Sequence, residues 1–330
     1  MSNMSLVSPV TTGFKVVRQQ ALFVTLLPVA LLLIEALIFG LSNERFLSMV
    51  NLFNVMRQSA ILLLVATGSS FVILVGSIDL SVGAVATLTA IATALVVRDH
   101  EFGLWSFPIA MAIGLVAGAF NAALHLLGRI PSFLTTLGTM GIFTGISTWL
   151  AGGANVVFAD PNITWLASGR LLFGIPNVAL WSLAIFLLCA FVAARTHFGR
   201  NLVVVGGGEA VAELSGVRVF AVKAGAFLMS GLLAGLAGFL LVARSGTGTS
   251  RMGDDLMLDA IAAVVIGGTA LSGGIGGVHK ALFGVLVITV MSNGLNVSGV
   301  NPFTQIVIKG VVVVLAVALL LDRSKTEFVK

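Results

Sequence analysis

Charged residues are scarce in this chain: Asp, Glu, Lys and Arg make up 9% of its 330 residues, whereas 58% are hydrophobic. A soluble domain carries roughly 25% charged residues. So few charges cannot coat a soluble protein of this size, so a soluble fold is excluded. The net charge of +5 forms no nucleic-acid-type basic patch and suits loops that face anionic lipid or a partner. We predict an all-α polytopic membrane protein.

Other features that are scarce or missing narrow the chemistry. Cys189 is the only cysteine, so no intrachain disulfide can form. No Gly-x-x-x-x-Gly-Lys-Ser/Thr motif occurs, which excludes a P-loop for ATP in this chain. The four histidines lack metal-ligand spacing: His100, His125, His197 and His279. We expect no catalysis, no metal and no cofactor bound by this chain.

Long apolar runs fill most of the sequence, and a bilayer crossing needs about 20 such residues. We predict about ten transmembrane helices within a membrane domain at 21–325, flanked by a cytoplasmic tail at 1–20 and another at 326–330. The predicted spans are 21–40, 59–76, 80–97, 104–127, 132–151, 177–194, 223–243, 258–276, 280–298 and 303–321.

Ten crossings place both termini on one side, and the basic residues indicate which side. Segments on the N-terminal side hold eleven lysines and arginines, and the opposite segments hold six. Cytoplasmic loops carry the excess of such residues. The four tryptophans (Trp105, Trp149, Trp165 and Trp181) then fall at or beyond the outer interface, where indoles are enriched. We predict that both termini are cytoplasmic.

The chain also repeats itself. Residues 59–151 and 223–321 each contain a span, an Asp-led small-residue helix, a span with Gly and Asn, and a span led by Pro-Phe or Pro-Ser-Phe. The two units start five spans apart, so they are inverted with respect to each other. Inverted repeats are common in transporters and place the substrate pathway at their interface.

Glycines indicate where helices pack closely and where one is interrupted. Gly114-xxx-Gly118 and Gly231-xxx-Gly235 are small-xxx-small patterns that let helices approach. Gly267-Gly268 and the glycines at 273–277 predict a broken helix in the eighth span. Irregular backbone at membrane depth must be buried in protein or line a cavity.

The longest basic and patterned interruption is residues 195–223, which we call the coupling loop. Glu209–Gly216 is long enough for two helical turns, with Val211 and Leu214 on one face, and Gly216 is a plausible C-terminal stop. A short amphipathic helix facing the cytosol predicts a docking surface for a partner. A solvated connector between membrane helices is the alternative.

These residues resemble the membrane permease subunit of ribose-type ABC importers, which carry monosaccharides. The resemblance covers roughly residues 51–325. It is carried by Asn51-Leu-Phe-Asn54, Ser77-Ile-Asp-Leu-Ser-Val-Gly83, Thr196-His-Phe-Gly-Arg200, Gly206-Gly207 with Leu214-Ser-Gly216, Leu258-Asp-Ala-Ile-Ala-Ala-Val-Val-Ile-Gly-Gly268, Leu271-Ser-Gly-Gly274 and Asn293-Gly-Leu295. Two departures occur: Ser77 stands where the family usually has a second glycine, and Gly208 stands where it often has asparagine.

The resemblance implies a homo- or heterodimeric permease of the bacterial inner membrane. It also implies two cytosolic ATPase domains, which hold ATP and Mg²⁺, and an external sugar-binding protein. The residues expected to couple the permease to the ATPase are Gly199, Arg200, Gly206, Gly207, Glu209, Val211, Leu214 and Gly216.

Ionisable and polar residues at membrane depth are costly and therefore informative. The predicted pathway residues are Asp79, Ser81, Gly83, Asn121, Thr139, Asp259, Gly267, Gly268, Ser292 and Asn293. Asp79 lies between the second and third spans, where it could instead cap a helix near the interface. Asp259 favours the dipole at the start of the eighth span. We expect Lys309, within the tenth span, to pair or to line water.

Two other classes of protein fit parts of this pattern. A proton- or sodium-coupled secondary transporter would use Asp79 or Asp259 as the ion-carrying group. A passive channel would fit the glycine-rich broken helices. Absolute dependence of uptake on a separate ATPase would discriminate against both.

Overall fold

A computed structural model of the chain describes the backbone of residues 10–320 and the side chains of residues 26–315 and 318. Residues 1–9 of the predicted N-terminal tail and the whole predicted tail at 326–330 lie outside the described residues. Within residues 10–320 the chain is helical: α1 (Val10–Ser42), α2 (Met49–Leu74), α3 (Val82–His100), α4 (Ser106–Leu126), α5 (Ser132–Leu150), α6 (Pro161–Ser168), α7 (Asn177–Arg195), α8 (His197–Gly207), α9 (Glu209–Leu214), α10 (Val219–Ser245), α11 (Asp254–Ile266), α12 (Ala281–Val297) and α13 (Pro302–Leu320).

Strands are confined to two small pairs in the described part of the chain. β1 (Val156–Val157) pairs antiparallel with β4 (Thr247–Gly248), and β2 (Arg170–Leu171) pairs antiparallel with β3 (Ile175–Pro176). Single turns of 3-10 helix lie at Gly103–Trp105, Leu172–Gly174 and Val278–Lys280. The fold is therefore all-α, as the composition predicts.

Six of the described helices are long and apolar enough to cross a membrane. They are α2, α3, α4 with the turn before it, α7, α10, and α12 with the turn before it. Within the described ranges, α1 and α13 contribute the shorter apolar helices Leu26–Ser42 and Pro302–Leu315. The count of about ten crossings and the inverted repeats therefore stay predictions.

The boundaries differ from the predicted spans in two places. Helix α1 begins at Val10, so it extends into the polar segment that we predicted as a tail up to residue 20. Helix α11 covers only 13 residues, Asp254–Ile266, of which four precede the predicted span at 258–276. It ends where Gly267 and Gly268 begin, and Gly268 has a φ of +91°, which side chains with a Cβ rarely adopt. The eighth span is thus interrupted, as the glycines predict.

Burial separates central from peripheral helices. In the apolar windows of α2 and α10, 83% of the residues are buried, against 28% in α7. A helix that is apolar all round and buried all round belongs to the interior of a bundle. Helices α2 and α10 therefore form the centre of the protein.

The two small-xxx-small patterns pack against each other and join α4 to α10. A Cβ added at Gly231 would lie 2.7 Å from the backbone nitrogen of Gly118, and one at Gly114 would meet the carbonyl oxygen of Gly231. Such close approach is possible only because these positions lack side chains. Gly235 lies against Gly114 in the same crossing.

Helix α10 also separates two loop regions. Its 27 residues correspond to roughly 40 Å at the usual helical rise. Lys223, near its start, forms an ion pair with Glu209 of the coupling loop. Just beyond its end, β4 pairs with β1, which belongs to the segment 152–176. The coupling loop and the 152–176 segment therefore lie at opposite ends of α10.

The helix crossing leads to a first prediction. Gly231→Ala should destabilise the protein by about 1–3 kcal/mol, since the added methyl group overpacks the contact with Gly118. Gly138→Ala is the matched control, because a Cβ there meets nothing within 4 Å and gains helix propensity. Thermal unfolding in detergent should show a lower midpoint for Gly231→Ala only. Equal midpoints for both variants would contradict the packing.

Candidate transport pathway and coupling segment

The coupling loop folds into two helices. Helix α9 (Glu209–Leu214) lies within the predicted stretch. Gly216 follows the C-cap residue Ser215, has a φ of +80° and donates its N–H to the carbonyl of Glu213 at 2.9 Å, so it serves as the predicted stop. Helix α8 (His197–Gly207) was missed by the sequence analysis. A signal was present: Thr196 caps α8 by accepting the N–H of Gly199 at 3.3 Å.

Helix α9 presents its apolar side chains outward. Val211 is 67% exposed and Leu214 is 90% exposed, whereas Ala212 is buried against the rest of the chain. The Glu209 carboxylate is held by the Lys223 ammonium in the first turns of α10. The helix is thus anchored on one side and leaves two aliphatic side chains without a partner in the described chain.

The remaining predicted coupling residues lie on α8. Gly199 is buried where α7 turns into α8, and a Cβ there would lie 2.6 Å from the Cα of Ala193. Arg200 is exposed on the same helix. Gly206 and Gly207 end α8 and lie against the loop that follows α11.

Four glycines make this contact, and we call Gly76, Gly206, Gly273 and Gly274 the glycine junction. The N–H of Gly274 donates to the carbonyl of Leu74, at the end of α2, at 3.0 Å. A Cβ at Gly273 would lie 2.6 Å from the nitrogen of Gly76 and 3.1 Å from the Cα of Gly206. The coupling loop therefore touches both the break after α11 and the turn after α2.

Asp79 lies in the segment that follows this turn, and the residue is 4% exposed. One carboxylate oxygen accepts the backbone N–H of Ser81 at 3.0 Å and the hydroxyl of Ser81 at 2.7 Å. The other accepts the hydroxyl of Ser230 on α10 at 2.8 Å. Asp79 thus satisfies the backbone at the start of α3, as a capping residue would, and it is buried within the bundle.

Two other predicted pathway residues join this cluster. The amide of Asn121 on α4 donates to the hydroxyl of Ser81 at 2.7 Å. Gly83, in the first turn of α3, lets the carbonyl of Gly253 approach closely. We call Asp79, Ser81, Asn121 and Ser230 the Asp79 cluster. Ser230 was missed by the sequence analysis, since nothing in its local sequence distinguishes it from other small residues of α10.

Thr139 and Asn293 lie elsewhere. Thr139, on α5, donates its hydroxyl to the carbonyl of Thr136 at 3.3 Å. Asn293, on α12, forms reciprocal amide hydrogen bonds with Asn51 on α2, at 2.8 and 3.0 Å. Both amides are buried. This pair joins α2 to α12.

Asp259 and Ser292 line a cavity of about 290 Å³ together with Lys309. The Lys309 ammonium lies 2.9 Å from the Asp259 carboxylate, so the prediction that Lys309 pairs is confirmed. Asp259 lies in the second turn of α11, while Asp254 and Asp255 occupy the first turn. Asp259 was predicted to favour the dipole at the helix start, but α11 begins four residues before the predicted span, so Asp259 lies beyond the first turn, where the dipole acts most strongly.

Gly267 and Gly268 lie at the opposite end of α11 from that cavity. A Cβ at Gly267 would lie 2.5 Å from the carbonyl oxygen of Lys280, so the glycine allows the start of α12 to pack closely. Both glycines are buried. The start of the break is therefore enclosed by protein, which is where irregular backbone is tolerated in a membrane protein.

The predicted pathway residues therefore do not form a single site. Asp79, Ser81, Gly83 and Asn121 meet around the start of α3, Asp259 and Ser292 line one cavity, and Thr139 and Asn293 each belong to neither group. Gly267 and Gly268 connect α11 to the glycine junction.

Comparison with known proteins identifies the family of this chain. The family model described as branched-chain amino acid transport system / permease component matches residues 51–317. Ribose import permease protein RbsC of Bacillus subtilis (strain 168) is 39% identical over 89% of this chain and 91% of its own length. RbsC of Escherichia coli (strain K12) is 36% identical over 90% of this chain and 92% of its own length.

Galactose/methyl galactoside import permease protein MglC of Salmonella typhimurium (strain LT2) is 33% identical over 88% of this chain and 91% of its own length. No solved structure matches the chain significantly. The family match covers most of the sequence, including the Asp79 cluster, the coupling loop and the broken helix. The chain therefore belongs to the transport permease family described as the permease component of branched-chain amino acid transport systems.

Proposed function

We propose that the chain is the transmembrane subunit of an ATP-binding cassette importer that moves a monosaccharide across the bacterial inner membrane. A separate ATPase subunit supplies the energy and holds ATP and Mg²⁺. The observation that carries the proposal is α9, which exposes Val211 and Leu214 at one end of the bundle. The ribose and galactose import permeases among its relatives support the sugar as substrate.

The remaining partners follow from the same proposal. A second permease copy, identical or related, completes the membrane part, lipid surrounds it, and an external sugar-binding protein delivers the substrate. About ten crossings in two inverted repeats, with both termini cytoplasmic, form the pathway. Four successive helices in each stretch support the repeats: α2 to α5 in 59–151 and α10 to α13 in 223–321.

The alternative is a proton- or sodium-coupled secondary transporter. Its ion-carrying group would be Asp79 or Asp259. Asp79 already accepts three hydrogen bonds, and Asp259 is paired with Lys309. Contacts within the protein therefore explain both carboxylates without an ion-carrying role. This favours a source of energy outside the chain.

The first prediction of this proposal is the topology. In a Cys189→Ser background, Asn155→Cys should react with a membrane-impermeant thiol reagent added outside, because 152–176 is predicted to be external. Glu213→Cys, on the exposed surface of α9, should react only from the cytoplasmic side. Labelling of both cysteines from the same side would overturn the arrangement.

The second prediction concerns the docking surface. Burying Leu214 in a groove of the ATPase contributes about 1.5–3 kcal/mol, so Leu214→Asp should weaken ATPase binding roughly 10- to 100-fold. Leu172→Asp is the matched control: Leu172 is 68% exposed but lies in the 152–176 segment at the other end of α10. The ATPase should co-purify with Leu172→Asp and not with Leu214→Asp. Normal co-purification and substrate-stimulated ATP hydrolysis with Leu214→Asp would remove the docking hypothesis.

The third prediction concerns the energy source. Liposomes that contain this chain alone should show no sugar uptake driven by a pH or sodium gradient. Uptake of ribose or galactose should require the ATPase, ATP inside the vesicle on the ATPase side and the binding protein on the other side. Gradient-driven uptake by the chain alone would establish the secondary transporter.

The fourth prediction separates the two roles of Asp79. An asparagine cannot accept all three hydrogen bonds, so Asp79→Asn should destabilise the protein by about 1–3 kcal/mol and lower ATP-driven uptake without shifting its pH profile. Asp254→Asn is the control, since Asp254 lies at the surface and pairs with Arg251. A pH profile that changes with Asp79→Asn in an otherwise stable protein would point to proton carriage.

A further inference from the structure

The cavity beside Asp259 is an open cleft lined by residues of five helices. Helix α2 contributes Gln58, Ile61 and Leu62, and α10 contributes Leu241 and Arg244. Helix α11 contributes Asp255, Leu256 and Asp259, and the segment before it contributes Met252. Helix α12 contributes Ile288, Thr289 and Ser292, and α13 contributes Lys309. Arg244 and Asp255 place it near the end of α10 and the start of α11. That end carries the β1–β4 pair and is opposite the coupling loop. In the proposed orientation, the cavity lies in the outer half of the permease.

The charged side chains that line this cavity balance one another. Two carboxylates, Asp255 and Asp259, face two cations, Arg244 and Lys309. The Asp259 carboxylate and the Lys309 ammonium bind each other at 2.9 Å. A site with no net charge and with its closest ion pair already formed has no strong attraction for an anion or a cation. Its preferred ligand is neutral.

Several polar side chains that line the cavity can still form hydrogen bonds with a ligand. The hydroxyl of Ser292 donates to the carbonyl of Ile288 at 2.8 Å, which leaves its oxygen able to accept. Gln58 offers an amide that both donates and accepts, and the Asp255 carboxylate accepts only. Within the described residues, neither Gln58 nor Asp255 has a side-chain hydrogen bond. Donors and acceptors therefore surround the space on several sides, which suits a ligand with many hydroxyl groups.

The volume of the cavity and its apolar lining also suit a ligand of this kind. The volume of about 290 Å³ corresponds to roughly ten water molecules at about 30 Å³ each, which is enough for one pentose or hexose ring. Ile61, Leu62 and Ile288 supply aliphatic surface for the C–H faces of such a ring. A lining of apolar side chains with a few convergent polar groups is the usual construction of a small-molecule site.

We propose that this cavity is a binding site for one monosaccharide within the permease, held by Gln58, Asp255, Thr289 and Ser292 and closed on one side by the Asp259–Lys309 pair. The inference rests on the proposed function for the identity of the ligand. A branched-chain amino acid is the competing ligand that the family description suggests. Its ammonium and carboxylate need opposite charges, and the Asp259–Lys309 pair leaves only Asp255 and Arg244 for that role. The experiment below therefore compares sugars with an amino acid directly.

Protection of a cysteine from modification tests the site directly. Ser292→Cys in a Cys189→Ser background places a thiol of similar size in the cavity wall, and Asp254→Cys places one on the neighbouring surface outside it. Membranes that contain the chain alone, without ATP, are treated with a small thiol reagent in the presence of D-ribose, D-galactose or L-leucine at tens of millimolar. Ribose or galactose should slow modification of the Ser292→Cys variant at least fivefold and leave that of the Asp254→Cys variant unchanged.

Other results would overturn the proposal. Protection by leucine and not by the sugars would make this an amino-acid site. Equal modification with and without every solute would show that no sugar binds here. A Ser292→Cys variant that fails to react in sugar-free membranes would show that the cavity does not admit solutes.

Transport gives a second measurement that does not depend on the introduced thiols. In liposomes with the ATPase, ATP and the binding protein, the double variant Gln58→Leu and Ser292→Ala should lower uptake at least fivefold, whereas Asp254→Asn stays within twofold of the unmodified chain. Unchanged uptake in the double variant would contradict the site. If the sugars protect the Ser292→Cys variant but the unmodified chain shows no ATP-dependent uptake, the proposed function fails and the sugar site stands.

Discussion

The close crossing of α4 and α10 is the contact on which the rest of the structure depends. Lipid is as apolar as the helix surfaces, so helices in a bilayer associate through packing and polar contacts rather than through release of water. Gly114 and Gly118 let α10 approach α4 at backbone distance. Neighbouring small residues of α10 do the same elsewhere: Ser230 contacts Gly68 of α2, and Gly238 contacts Ala86 of α3. This approach carries the Ser230 hydroxyl to the Asp79 carboxylate, so packing and the buried polar cluster support each other.

A second set of glycines joins the coupling loop to the interior of the bundle. The coupling loop reaches the break after α11 through Gly206, Gly273 and Gly274, and the same contact includes the turn after α2. From there, α11 leads to Asp259 and to the cavity, and the chain after Gly76 leads to Asp79. Backbone-to-backbone contact transmits displacement with little loss, because no flexible side chain lies between the surfaces. The coupling loop, the break after α11 and the turn after α2 are therefore in direct contact. Under the proposed function, this contact is the route by which docking at α9 would act on the cavity.

Local patterns in the sequence predicted the features that depend on neighbouring residues. The small-xxx-small pairs, the stop at Gly216, the helix within 208–216 and the interruption at Gly267 each follow from residues within one or two helical turns. Long-range partners were not predictable in this way: Asn293 pairs with Asn51, Asp259 with Lys309, and Asp79 with Ser230. Helix α8 was missed because the coupling loop was interpreted by its charges, although Leu202 and Val205 recur at helical spacing and are buried. The site residues could therefore be selected by type, but their grouping into a cluster and a cavity required the fold.

The state of the two buried acids bears on how this permease uses energy. A carrier driven by an ion gradient needs a carboxylate that exchanges its proton or cation as access alternates. Releasing Asp79 from three hydrogen-bond donors would leave Ser230 and the start of α3 without their acceptor at the centre of the bundle, where such groups cost about 1–3 kcal/mol each. Releasing Asp259 would leave the Lys309 ammonium without its ion-pair partner. Both acids thus stabilise fixed contacts, and a neutral solute needs no charge to accompany it. Under the proposed function, conformational change is driven from outside the bundle, and we propose that the exposed face of α9, connected through the glycine junction, is where this chain receives it.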